Sequence, residues 1–127
     1  MLDLGEVPVD LSELARLMGN NEPARLTNML TIYWATESNT PQVLRNLAHA
    51  RDSRALANAA HGAKGAAASV GATRVADLCK ALELSARSGD WEDVAVLTEK
   101  VEQGYKTLGA YISGARRISQ DLSAAPF

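Results

Sequence analysis

The chain has 127 residues, 46% of them apolar and 22% charged, which is ordinary for one folded domain and too apolar for a disordered tail. That length is enough to bury roughly 65–70% of the unfolded surface. The 13 basic residues against 15 acidic ones give a formal net charge of −2, and no Lys/Arg run exceeds Arg116-Arg117, so the basic face of a nucleic-acid binder is not expected.

The single cysteine, Cys79, excludes an internal disulfide, and no second thiol or paired histidine completes a zinc spacing, so no metal site is expected. A reducing, cytoplasmic setting follows as the expectation. No charged segment followed by an apolar one opens the chain, and no apolar run approaches 18 residues. Neither export nor membrane insertion is expected.

Strand signals are nearly absent, and helical periodicity recurs from residue 10 onward. A first short helix is predicted to start at Asp10, with Glu13 three residues on in capping-box register, and to end by Gly19. A second starts around Asn21 to Pro23 and carries Leu26, Leu30 and Tyr33 on one face. Thr40-Pro41 reads as a cap followed by a proline at the first helical position, so the helix restarts or bends there and continues through Leu44 and Leu47. Ser53 is the predicted cap of a third helix to about Val70, stopped by Gly71, with Leu56, Ala60, Ala63, Ala67 and Val70 as its buried stripe.

A fourth helix carries Val75, Leu78, Leu82 and Ala86 and closes at Gly89. Asp90 then caps the longest helix, over residues 91–118, with Val94, Leu97, Val101, Leu108, Ile112 and Ala115 on one side. Such a helix spans about 40 Å. Gly104, Gly109 and Gly114 either soften it or permit close packing. Short loops between amphipathic helices favour antiparallel neighbours, so the expected fold is all-α: an antiparallel four-helix bundle with an additional short N-terminal helix across one end. Residues 1–127 form a single domain in this reading, with a core over about 10–118 and a loose tail over 119–127.

The third helix carries the candidate chemistry. Successive residues rotate by about 100°, so Asn58, Lys64, Gly65 and Ala68 share the face of His61 while the apolar stripe points away. A solvent-facing imidazole with one neutral nitrogen is a nucleophile, and Lys64, three residues on, is placed to meet an anion arriving there. Gly65 is about 1 kcal/mol worse than alanine inside a helix, and a missing side chain one turn beyond His61 lets a partner surface come close. Ala57 and Ala68 keep the rest of that face low. The bland readings are a surface histidine, a solvated lysine, a core Cys79 and packing roles for Trp34 and Trp91; His49 needs no more than the negative end of its helix.

The run His61, Lys64, Gly65, Gly71, in the order H-x-x-K-G-x-x-x-x-x-G, resembles the histidine-containing phosphotransfer (HPt) domain family. The resemblance extends over roughly residues 10–115, including "HARDSRALANAAH" upstream, Cys79, Leu82 and Glu83 in the next helix, and the Ser88-Gly89-Asp90 break. It departs from the family at Ala63, where a larger aliphatic residue is usual and tighter helix packing is implied here. The resemblance implies a phosphoryl group accepted on His61 from the aspartate of one receiver domain and donated to another, with Lys64 holding the phosphoryl oxygens. Gly65, with Ala57, Asn58 and Ala68, would form the docking face.

The implied partners are receiver domains of a hybrid sensor histidine kinase and of a response regulator, with Mg²⁺ in the receiver and no cofactor in this chain. A monomeric phosphocarrier is expected, free-standing or as the cytoplasmic C-terminal part of a membrane-bound hybrid kinase. No Gly-rich phosphate loop is present, so a carrier without kinase machinery is expected. The competing reading is a non-catalytic helical adaptor using the same small-residue face, which would tolerate His61→Gln. A metal-binding bundle is weaker, since neither His61 nor His49 has a Glu three residues before it.

Overall fold

The computed structural model describes residues 7–114, and among them there are helices and no strands. Six helical segments run in order: α1 (Leu11–Met18), α2 (Pro23–Glu37), α3 (Thr40–His49), α4 (Ser53–Ser69), α5 (Thr73–Ser88) and α6 (Trp91–Ser113). Three begin under an aspartate. The carboxylates of Asp10, Asp52 and Asp90 accept from the N–H of Glu13, Ala55 and Asp93 at 3.1, 3.0 and 3.0 Å. Each such cap contributes about 1 kcal/mol.

Two of the expected caps shift. Asp52, not Ser53, caps α4, because the Ser53 hydroxyl donates to the Ala86 carbonyl of α5 instead. Thr40 is the first residue of α3 rather than its cap, and Asn39 precedes it without a side-chain cap bond. The expected capping box at α1 closes on one side only: Glu13 pairs with Arg16, and the Asp10 N–H donates to the Gly71 carbonyl at 2.8 Å.

The break before Pro41 covers Ser38 and Asn39, which both stay in the right-handed region (φ −60°, ψ −25° and φ −88°, ψ −3°). Proline supplies no N–H to the preceding turn, so the helical ladder stops and restarts while the chain keeps its direction. Both α2 and α3 pack on α4 and α6, so together they make one wall. α3 touches α4 and α6, and α5 touches the same two, which closes the ring of a four-helix bundle. α1 meets α2, and its cap is tied to the α4–α5 turn.

That turn needs its glycine. Gly71 has φ +74°, and a Cβ there would lie 2.7 Å from the Asp10 carbonyl oxygen. A side chain would therefore be strained and would push α1 off the bundle.

The predicted apolar stripes form the interior. Leu26, Leu30, Leu44, Leu56, Ala60, Ala67, Leu82 and Leu108 are fully buried, with Ala63, Val70, Val75, Val94, Val101 and Ile112 nearly so, and Leu47, Leu78 and Leu97 pack against them. Cys79 is fully buried, as a small hydrophobe would be. Trp34 lies on Tyr105 with ring centroids 6.3 Å apart, and the Arg51 guanidinium sits 5.8 Å over Trp91.

The α6 glycines resolve into packing roles. A Cβ on Gly109 would collide with the Trp34 ring, and one on Gly104 would press on Leu78 at 3.2 Å. Gly114 follows the helix end at Ser113. The expected unbroken helix over 91–118 is thus shortened, because Gly114 leaves the helical region (φ −91°, ψ 63°) as its cap; Ala115 and the tail over 119–127 lie outside the described residues.

Candidate functional site

α4 is the alanine-rich helix, and its extensive packing on α5 decides what surrounds His61. His61 projects from the outer face with 61% of its side chain exposed. Its Nδ1 lies 3.1 and 3.2 Å from the two carboxylate oxygens of Glu83 on α5. A carboxylate only accepts, so the imidazole donates from Nδ1–H, and Nε2 is left with its lone pair facing solvent.

Glu83 is itself buried, at 8% exposed, and serves three neighbours. Arg87, one turn on along α5, donates from Nη2 at 2.9 Å, and Lys64 Nζ stands 3.7 Å from the other oxygen. The Arg87 guanidinium, with help from His61 and Lys64, outweighs burial and holds the Glu83 carboxyl below its ordinary value. Glu83 is therefore charged at neutral pH. Lys64 and Arg87 against one carboxylate leave a single positive charge over around Glu83, next to the imidazole, a setting that favours an arriving anion.

Four residues expected on this face, Asn58, His61, Gly65 and Ala68, are exposed, and Lys64 is half-buried against Glu83. Ala57 is a correction: it is 1% exposed and takes no part in the outer face. It lies about 20° around α4 from Lys64, so it turns toward α5, as Lys64 does. Gly62 joins the face unforeseen. It is exposed, and a Cβ on it, as on Gly65, would meet nothing within 4 Å.

Glu83 and Arg87 were also without an assigned role in the sequence reading. The available signal was a carboxylate beside the apolar positions Cys79 and Leu82, with an arginine four residues later to pair with it.

The site is a surface rather than a pocket. A groove of about 520 Å³ runs between α3 and α6 past Arg45, His49 and Trp91, and one of about 730 Å³ runs between α5 and α6. None of His61, Lys64, Glu83 or Arg87 lines either. Among the described residues no three His, Cys, Asp or Glu side chains gather as metal ligands, and no helix is long and apolar enough to cross a membrane. The arrangement suits an exposed nucleophile approached by a second macromolecule.

Searches of curated proteins and of solved structures return no significant match. The family model of the Hpt domain matches residues 4–110, which takes in every helix of the bundle almost to the end of α6. With a bundle of helices around an exposed histidine and most of its length matched, the chain belongs to the Hpt domain family, whose members are phosphocarrier modules of two-component phosphorelays.

Proposed function

We propose that this domain relays a phosphoryl group between receiver-domain aspartates, with His61 as the acceptor and donor. The observation that carries the reading is the pairing of His61 Nδ1 with the buried Glu83 carboxylate, which directs the free lone pair of Nε2 to solvent. Nε2 attacks the phosphorus of a receiver's aspartyl phosphate, the N–P bond forms as the P–O bond breaks, and the receiver's carboxylate leaves with the bonding pair. The ring then carries Nδ1–H and a phosphorylated Nε2 together, hence a positive charge. Glu83 stabilises that charge at a distance fixed before the reaction begins.

Transfer to the second receiver reverses these bond changes. Lys64 neutralises the phosphoryl oxygens, and the divalent cation is the receiver's Mg²⁺. Asn58, Gly62, Gly65 and Ala68 keep the approach flat. The partners in this reading are the receivers of a hybrid sensor histidine kinase and of a response regulator, and the domain acts as a cytoplasmic monomer.

Incubation with a phosphorylated receiver tests this directly. The label should appear on His61 as acid-labile, base-stable phosphohistidine, and His61→Gln should abolish it while leaving the melting temperature unchanged. An acid-stable label, on Ser69 for example, sinks the proposal. Receiver binding without any label by the parent protein would favour the adaptor reading.

A further inference from the structure

The His61 ring stands largely in solvent, and the Glu83 carboxylate at 3.1 and 3.2 Å sets its orientation. What holds that carboxylate therefore decides where Nε2 points, and two cations compete for it. Lys64 Nζ, on α4 with His61, is 3.7 Å from Oε1, too far for a hydrogen bond. Arg87, on α5 with Glu83 itself, brings Nη2 to 2.9 Å and Nε to 3.3 Å of Oε2. Arg87 is the closer partner, and its hydrogen bonds do most to keep the carboxyl ionised.

The cluster is divided between two helices. α4 carries the nucleophile and an ammonium three residues on, while α5 carries the acceptor and a guanidinium four residues on, at the spacing that brings opposite charges together. The guanidinium is a rigid fork that stays charged, so it loses little freedom in gripping one oxygen from two nitrogens. Its side chain is 53% exposed, and a pair of that kind adds little to stability. Its consequence is geometric. Without Arg87, Oε1 would be drawn to the Lys64 ammonium and away from Nδ1, and the lysine would be held on a carboxylate instead of standing free.

We propose that Arg87 is a positioning residue: by holding Oε2 of Glu83 it keeps that carboxylate on His61 Nδ1 and leaves Lys64 uncommitted. The kinetic consequence rests on the reading of His61 as phosphoryl acceptor, whereas the positioning itself belongs to the unphosphorylated protein.

Two substitutions test it. Arg87→Met keeps an unbranched stem and removes the donors, and Arg87→Lys restores the charge without the fork. Nitrogen NMR of the neutral His61 ring, recorded with no phosphodonor present, should show mainly the Nδ1–H tautomer in the parent, a smaller share of it in Arg87→Met, and an intermediate share in Arg87→Lys. Labelling of His61 by a phosphorylated receiver should slow about fivefold in Arg87→Met, and Arg87→Lys should recover part of that loss. In a Glu83→Gln background Arg87→Met should slow labelling little further, because Arg87 acts through that carboxylate. An unchanged tautomer share in Arg87→Met overturns the inference. So does equal slowing in the Glu83→Gln background, which would mean that Arg87 meets the incoming phosphoryl group itself. A parent that takes no label on His61 sinks the phosphotransfer reading, and the tautomer comparison still decides whether Arg87 positions Glu83.

Discussion

Gly65→Ala should make the protein more stable, while Gly65→Gln should make it a poorer phosphocarrier. Glycine inside a helix is about 0.8–1 kcal/mol less favourable than alanine. At Gly65 nothing in the fold offsets that loss, because an added Cβ meets no atom within 4 Å and the backbone φ is not positive. The full propensity difference should therefore appear, raising the melting temperature by about 3–6 °C for a domain of this size. Gly62 has the same open surroundings, and Gly62→Ala should add a similar increment. Glutamine is also a better helix former than glycine, so Gly65→Gln should melt no lower than the parent. Its side chain, however, rises one turn from His61 where a receiver must seat. Transfer from a phosphorylated cognate receiver should slow about tenfold, a loss of about 1.4 kcal/mol in the transition state. Phosphoramidate, which needs no flat surface, should be hindered less. Thermal melts and the two transfer rates, measured on the same preparations, separate the effects. A lower melting temperature for Gly65→Ala would show that this face is packed rather than open, and a parental receiver rate for Gly65→Gln would place docking elsewhere on the bundle.

Glu83→Gln keeps the shape of the side chain but removes its charge, and should slow phosphorylation of His61. Because the Glu83 carboxyl is held below its ordinary value of 4.5, its charge stabilises the fold above that value and ceases to do so as pH falls through the lower, folded-state value. The parent's advantage in melting temperature over Glu83→Gln should therefore be full at pH 6 and shrink below pH 4.5; a constant difference down to pH 3 would refute the assignment. Gly109→Ala should do the opposite of Gly65→Ala: its Cβ runs into the Trp34 ring, and overpacking of about 1–3 kcal/mol exceeds the propensity gain. A falling melting temperature with a shift in tryptophan emission is expected, and a rise would mean that the ring yields freely.

What the sequence disclosed and what it withheld divide along one physical line. Leu26, Leu30 and Tyr33, or Val75, Leu82 and Ala86, are legible because a helix's buried arc is written in its own spacing. Asp10, Asp90, Pro41 and Gly71 are legible because capping, a missing N–H and a left-handed turn are properties of one or two residues. The cap at α4 was misplaced by one position because Asp52 and Ser53 are both competent, and only the position of the Ala86 carbonyl on another helix assigns the serine elsewhere. Glu83 lies 22 residues from His61, and their meeting depends on how α4 and α5 are rotated against each other, which no single-helix period contains. The same holds for Gly109, whose reason is a ring on α2.

Ala57 shows how these two kinds of information join. It was expected on the outer face, yet it is buried on the side of α4 that meets α5, in line with Lys64 and one turn before His61. Together with Ala60, Ala63 and Ala67 it gives α4 a buried side made almost entirely of methyl groups. Alanine buries little area, so this stripe is a poor source of hydrophobic stabilisation compared with the leucines of α2 and α5. Its effect is on distance, since small residues let two helices approach to the close end of the 8–10 Å range of interaxial separations. A hydrogen bond is lost within a few tenths of an ångström beyond its usual range, and Glu83 stands at 3.1 Å from the His61 ring. A larger aliphatic residue at position 57, buried in line with Lys64, should lengthen that contact, and a slower phosphorylation of His61 would report it. The smallness of α4 thus acts on both sides at once: its buried methyl groups bring Glu83 within reach of Nδ1, and its exposed glycines leave Nε2 open to a partner.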